Sequence, residues 1–486
     1  METDIASGMP GFEMVGLPGA SVRESKDRVR AAIRNAGLSY PQQRITINLA
    51  PANTKKHGPI YDLAIAAGLL AASGQIPAPD ERDVLLGELS LDGQLRSIAG
   101  ALPMAIAAQQ AGFSSIFLPP SNAEEAAYID GLTVYPVQAL TDIAAHFGGG
   151  KKITPMPRKT YEPRREDAAH DMAYIKGQQP ARRAIEIAAA GGHNLLMIGP
   201  PGSGKTMLAR ALPGILPDLS FDEALEISNI RSVCGENTDG LVAARPYRSP
   251  HHTLSTAALT GGGHRVVPGE VSLAHGGVLF LDELPEFKRD ALEALRQPLE
   301  DKQISIARAN AKVTYPANVM LVASMNPCPC GNYGRTDVPC RCTPREIKRY
   351  LSRISGPLLD RIDMHIGMDA VTYAQLTDTR QSESSEDVRA RVDAARRVQQ
   401  QRYAHSGIHS NASLTDEMMD THCAMTPKCD ALMKTAFTTL ALSARAMSRV
   451  KKVARTIADL AGATHIDQAH LAEAIQYRTL DSRYWG

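Results

Sequence analysis

The chain has 486 residues, too many for one hydrophobic core, and at roughly 150 residues per domain it is expected to hold about three domains. Apolar residues make up 43% and charged residues 22%, which excludes a mainly disordered chain, while 53 basic against 52 acidic side chains leave no global field, so nucleic-acid contact has to come from local basic patches. No stretch approaches the roughly 18 apolar residues of a membrane helix, and the N-terminus lacks a secretory pattern, so a cytoplasmic location without a membrane partner is expected.

Residues 1–148 mix short β-type runs, at 44–49 and 115–118, with Ala-rich helical stretches at 63–72 and 103–111, and read as a compact α/β domain. Residues 149–170 form the linker of the chain: three glycines end at Gly150, and Pro155, Pro157 and Pro163 follow with no periodic apolar pattern. Over 171–375, apolar runs at 194–198, 277–281 and 318–324 alternate with helical segments, the pattern of a parallel sheet covered by helices. The last part, 376–486, carries helical spacing at 384–401, 431–460 and 466–477 and is expected to be a separate helical domain. The fold class is therefore α/β and multidomain.

The run 195–198 leads into Gly199, Pro200, Pro201, Gly202, Ser203, Gly204, Lys205 and Thr206, a glycine-rich turn between a strand and a helix. Glycines let backbone N–H groups close around phosphate oxygens, and the following helix adds its positive end. Lys205 is placed to neutralise the β- and γ-phosphates of ATP, and Thr206 to ligate Mg²⁺. The apolar run 278–281 ends in Asp282 and Glu283, at the strand edge where parallel sheets bind ligands. Asp282 is expected to organise Mg²⁺ and Glu283 to polarise the attacking water.

Four of the seven cysteines form two C-x-C pairs, Cys328 with Cys330 and Cys340 with Cys342, around a loop rich in glycine. In a reducing compartment this pattern leaves two readings, four thiolates around one structural Zn²⁺ or reduced cysteines in a loop, since C-x-C is tighter than the usual knuckle. Residues 303–308 and 312–315 alternate with period two around Ala309, Asn310 and Ala311, which reads as a β-hairpin with Arg308 and Lys312 at its end.

In this order, the P-loop, Asp282-Glu283, the strand ending at Asn326 and the string Leu358-Leu359-Asp360-Arg361-Ile362-Asp363 resemble AAA+ ATPases of the Mg-chelatase and MCM helicase branch. Ser249-Pro250-His251-His252, Asn326-Pro327-Cys328-Pro329-Cys330 and the string 453–460 narrow the resemblance, nearly end to end, to the ComM/YifB family of Mg-chelatase-like proteins. The resemblance implies an AAA+ P-loop core with a C-terminal helical lid, Asn326 as the sensor that helps place the attacking water, Arg361 as an arginine finger reaching a neighbouring subunit's nucleotide, and Arg445 as the second sensor, with Arg449 as its fallback. Each of these arginines could instead form a surface salt bridge. Ile175, Gly177 and Gln178 would border the adenine. The hairpin matches the element that MCM-type motors direct into their channel, so Arg308, Asn310 and Lys312 would meet the DNA backbone or remain a solvated tip. Arg248 and Arg265 lie in a second candidate DNA surface that also holds His251 and His252.

Residues 1–148 resemble the proteolytic domain of Lon-type proteases (S5 domain 2-like), with Ile60 where the protease has its serine and Leu102 where it has its lysine. Without a hydroxyl and a base, acyl transfer is excluded. The family usually begins earlier, with an extra strand, so Met1 is expected to be a shortened start. The function implied is an ATP-driven, homohexameric motor on single-stranded and branched DNA, promoting branch migration in recombination and natural transformation. The alternative is a chelatase-type motor that remodels a protein partner, against which the Lon-like domain argues.

Overall fold

The computed structural model describes residues 1–486 except 165–169, 237–239, 264–265, 309–310, 336, 379–381, 405 and 486, and only the backbone at 308, 311, 482 and 483. Asn310 and Arg265 therefore lie outside the described residues, and Arg308 is described as backbone alone. The chain divides into two compact units, Met1–Glu162 with Ala224–Val242, and Pro163–Glu223 with Ala243–Gly486.

In the first unit, strand Arg44–Asn48 pairs antiparallel with Glu2–Ala6 and parallel with Gly11–Val15, and a second, parallel sheet joins Asp83–Leu85, Ser115–Leu118 and Thr133–Pro136. Helix Asp62–Ala72 is buried along most of its length, as its unbroken apolar sequence requires. Ile60 packs against the small core around Ile98 and Leu118, and Leu102 is fully buried, its N–H donating to the Ser232 hydroxyl at 3.3 Å. Nothing in the sequence pattern signals that Ala224–Val242 groups with this unit. The expected linker also runs along it, since the N–H groups of Met156 and Lys159 donate to Val134 and Ala127.

The second unit is built on a five-stranded parallel sheet ordered Tyr247–Arg248, Val278–Leu281, Met320–Met325, Leu195–Ile198 and Met364–Gly367. The three middle strands are buried residue by residue, which explains their continuous apolar sequences. Alternate side chains feed two cores. Leu195, Met197, Phe280 and Val322 face one that includes helices Gln179–Gly191 and Ala444–Leu460; Leu196, Ile198, Leu281 and Ala323 face the other, with Leu292 and Leu351.

The C-terminal helices thus share a continuous core with the sheet, although their sequence period changes at its border. The helical run expected over 431–460 is two helices, Pro427–Thr439 and Ala444–Leu460. Ala441 adopts a positive φ of 48° and the Ser443 hydroxyl caps Ala446 N–H at 3.1 Å, so the chain stops and restarts where hydrophobic periodicity alone shows no break. The expected hairpin is present as Gln303–Arg308 paired with Ala311–Pro316, Ala307 opposite Lys312. Among the described residues, no helix is long and apolar enough to cross a membrane.

Candidate nucleotide site

Strand Leu195–Ile198 delivers the P-loop to the C-terminal edge of the parallel sheet, and Gly202 and Gly204 adopt φ of 76° and 87°, a region that other residues enter only at a cost. Helix Lys205–Ala211 starts directly behind them. Lys205 is buried, and its ammonium donates to the carbonyls of Gly199 and Pro200 at 2.8 and 2.9 Å and to Asn326 Oδ1 at 3.3 Å. Burial lowers its pKa, and the charges of Asp282 and Glu283 oppose that shift. These carbonyl bonds are of the kind that a phosphate oxygen can replace one for one.

The neighbouring strand Val278–Leu281 ends at the same edge and brings the two carboxylates beside the P-loop. The Thr206 hydroxyl donates to Asp282 Oδ2 at 3.0 Å, and Ser324 and the Glu283 N–H donate to Asp282 Oδ1. An acidic oxygen and a hydroxyl held side by side are the donor set a hard dication takes, so the residues present fit Mg²⁺. Glu283 has a φ of 53°, uncommon outside glycine, which turns its side chain out of the strand and leaves it more than half exposed.

His252, in the second candidate DNA surface, has its Nδ1 3.5 Å from Glu283 Oε2 and its ring 4.1 Å from that of His251 at a tilt of 33°. The signal that could have found it is register. Tyr247 and Arg248 stand opposite Val278 and Leu279, so the chain leaving this edge strand runs toward the end of strand Val278–Leu281, where Glu283 follows. Ser324 was also missed, being hidden inside an apolar strand.

Ile175 is buried, its carbonyl accepting from Arg182 and Ser382, and Gln178, at a φ of 56°, donates to the Asp369 carbonyl at 2.6 Å. Gly177 faces the side-chain amide of Gln375. Arg248 is held by two 2.7 Å bonds to Glu270, whereas Lys312 is exposed.

The two arginines are not with the P-loop. Arg361 precedes strand Met364–Gly367, and its carbonyl accepts from the side chain of Asn194, which precedes strand Leu195–Ile198. Both strands run parallel, so this is the N-terminal edge of the sheet, separated from the P-loop by four residues, or roughly 13 Å. Arg361 is buried, donates to Pro357 and pairs with Glu300; Arg445, mostly exposed, lies 3.7 Å from the same carboxylate. The hydrogen bond from Arg361 holds the Glu300 carboxyl below its usual range. Arg449, the fallback, is committed to Asp363 and to the Asp360 carbonyl.

The four cysteines converge, with all four sulfurs within 4.8 Å of one another.

Comparison with known proteins accounts for most of the chain. The family of magnesium chelatase subunit ChlI matches residues 171–376, a second family described as subunit ChlI of Mg-chelatase matches residues 1–122, and the family of the ChlI C-terminal part matches residues 382–478. The competence protein ComM of Haemophilus influenzae is 44% identical over 99% of this chain and 94% of its own length, and YifB of Escherichia coli is 46% identical over the same shares. A weaker similarity, 28% over 144 residues, or 28% of this chain and 26% of the relative, links it to Lon protease 2 of Bacillus subtilis. The Mg-chelatase type of AAA+ ATPase implies ATP and Mg²⁺. The chain belongs to the ComM/YifB family of Mg-chelatase-like proteins.

Proposed function

We propose that this protein is an ATP hydrolase that works as a hexameric ring on single-stranded and branched DNA, promoting branch migration in recombination and natural transformation. The observation that carries it is the meeting of Lys205, Thr206, Asp282 and Asn326 through direct hydrogen bonds at one sheet edge, with Glu283 beside them. Lys205 exchanges its loop carbonyls for phosphate oxygens, and the N–H groups at the start of helix Lys205–Ala211 take the rest of the charge. Thr206 and Asp282 would hold Mg²⁺, which when bound neutralises phosphate charge. Glu283 accepts a proton from the water that attacks the γ-phosphorus as the bond to the β–γ bridging oxygen breaks; Asn326 orients that water, and His252 restrains the Glu283 carboxylate.

Because Arg361 and Arg445 are gathered at the opposite sheet edge, they serve the nucleotide of an adjacent copy, and each site is completed by two chains. Glu300 holds both arginines until that nucleotide draws them away. The hairpin, with Arg308, Asn310 and Lys312, meets the DNA backbone together with Arg248 and Arg265; Lys312 is exposed, and Arg248 is oriented by its pair with Glu270. The name of the Haemophilus relative, a competence protein, supports a DNA substrate. A strand-exchange assay on a four-strand junction tests the reading: ATP-dependent branch movement by the wild type and none by Glu283→Gln is expected. No movement with any branched DNA, alongside normal ATP hydrolysis, would favour a motor that remodels a protein partner.

A further inference from the structure

The cysteine cluster lies against the nucleotide site, and its geometry is that of a metal centre. Cys328 Sγ is 3.4 Å from Cys330 Sγ and 3.7 Å from Cys340 Sγ, and Cys330 and Cys340 are 3.6 Å apart. A disulfide needs about 2.05 Å, and all four cysteines are free. Zinc–sulfur bonds of about 2.3 Å in a tetrahedron set the sulfurs roughly 3.8 Å apart, close to these spacings. Gly331 and Gly334, with φ of 78° and 83°, turn the loop that brings the second C-x-C pair back to the first. The N–H of Tyr333 donates to Cys328 Sγ at 3.3 Å, the kind of outer bond that fixes a thiolate ligand.

The same short segment touches the P-loop. Asn326, bonded to Lys205, is followed at once by the first C-x-C pair, and Gly331 then packs on Pro201 so tightly that a Cβ there would lie 2.5 Å from Pro201 Cδ. On the other side of the loop, the Tyr333 ring meets Tyr484 of the C-terminal helix at 6.3 Å.

We propose that Cys328, Cys330, Cys340 and Cys342 bind one zinc ion, and that this site braces the P-loop by clamping Asn326 and Gly331 against Lys205 and Pro201. The bracing role rests on the reading of the P-loop as an ATP site; the zinc site does not. It makes nucleotide binding dependent on a metal outside the nucleotide's own coordination.

Elemental analysis of the full-length protein is expected to give about one zinc per chain, and reconstitution with Co²⁺ to give the intense visible and thiolate charge-transfer bands of tetrahedral sulfur ligation. Cys340→Ser with Cys342→Ser should abolish both. Gly331→Ala, which leaves every ligand in place, should keep the zinc but weaken ATP binding by about tenfold or more, since the added methyl displaces Pro201. Reduced protein without zinc and without the cobalt bands would overturn the metal site. Retained zinc with unchanged ATP affinity in Gly331→Ala would overturn the bracing role. Zinc-loaded wild type that does not bind ATP would count against the ATP site itself and leave the zinc site standing.

Discussion

At Lys205, burial lowers the pKa while the charges of Asp282 and Glu283 oppose that shift, and the group sits among loop carbonyls that phosphate oxygens can replace. Lys205→Ala is expected to lose most ATP affinity, whereas Glu283→Gln should still bind ATP and turn over about 10² to 10⁴ times more slowly, because the first contacts phosphate and the second moves a proton. Equilibrium binding of a fluorescent ATP analogue beside steady-state turnover separates the two. His252→Ala should lower turnover about fivefold, a loss of ~1 kcal/mol of orientation, with ATP affinity unchanged; an affinity loss equal to the rate loss would make the histidine a binding residue. The P-loop and the Asp282-Glu283 pair were legible because their chemistry is local, a few consecutive residues in a strand-turn context. His252 was not, since it lies beyond the short edge strand Tyr247–Arg248 and meets Glu283 only in the assembled fold.

Among the elements, helix Ala444–Leu460 is tied to the sheet through one buried charge. Burial pushes the Asp363 pKa up, but Arg449 and His193 outweigh it and hold the carboxyl well below the usual range. The folded value is the lower one, so Asp363 stabilises the fold above its unfolded value of about 3.9, and this is lost as pH falls below that. Thermal melts should show that acid-side loss, and Asp363→Asn should flatten it. Arg449→Ala, which takes the guanidinium from the buried Asp363 and leaves it only His193 and the Asn194 N–H, is expected to cost about 3 to 5 kcal/mol in urea unfolding.

The hairpin makes a different demand. If Arg308 and Lys312 contact phosphates, replacing both by Ala should weaken binding alike for all sequences and flatten the slope of log K on log salt by up to about two units. Basal ATP hydrolysis should persist. The hairpin itself was legible from period-two alternation, whereas the stop between Thr439 and Ala444 was not, because capping and a positive φ at Ala441 leave no trace in hydrophobic periodicity.

For the whole molecule, the sequence named the two arginines by resemblance but could not say which nucleotide Arg445 faces. Their common partner Glu300, at the edge opposite the P-loop, makes a site shared between copies the economical reading. Two inactive chains should then restore each other. Lys205→Ala keeps its arginines and Arg361→Ala keeps its nucleotide site, so a mixture is expected to recover part of the turnover that neither shows alone, while Arg361→Ala added to wild type should depress it. The grouping of Ala224–Val242 with the first unit was also out of reach of the sequence, since a helical period shows that a segment is amphipathic and not which core it joins.

The proposed function requires that ATP hydrolysis at this site drive movement on DNA. The most direct test is the ATP turnover of the purified full-length protein with and without single-stranded and branched DNA. Stimulation by both is predicted for the wild type and its loss for Arg308→Ala with Lys312→Ala; turnover indifferent to every DNA offered would contradict the account.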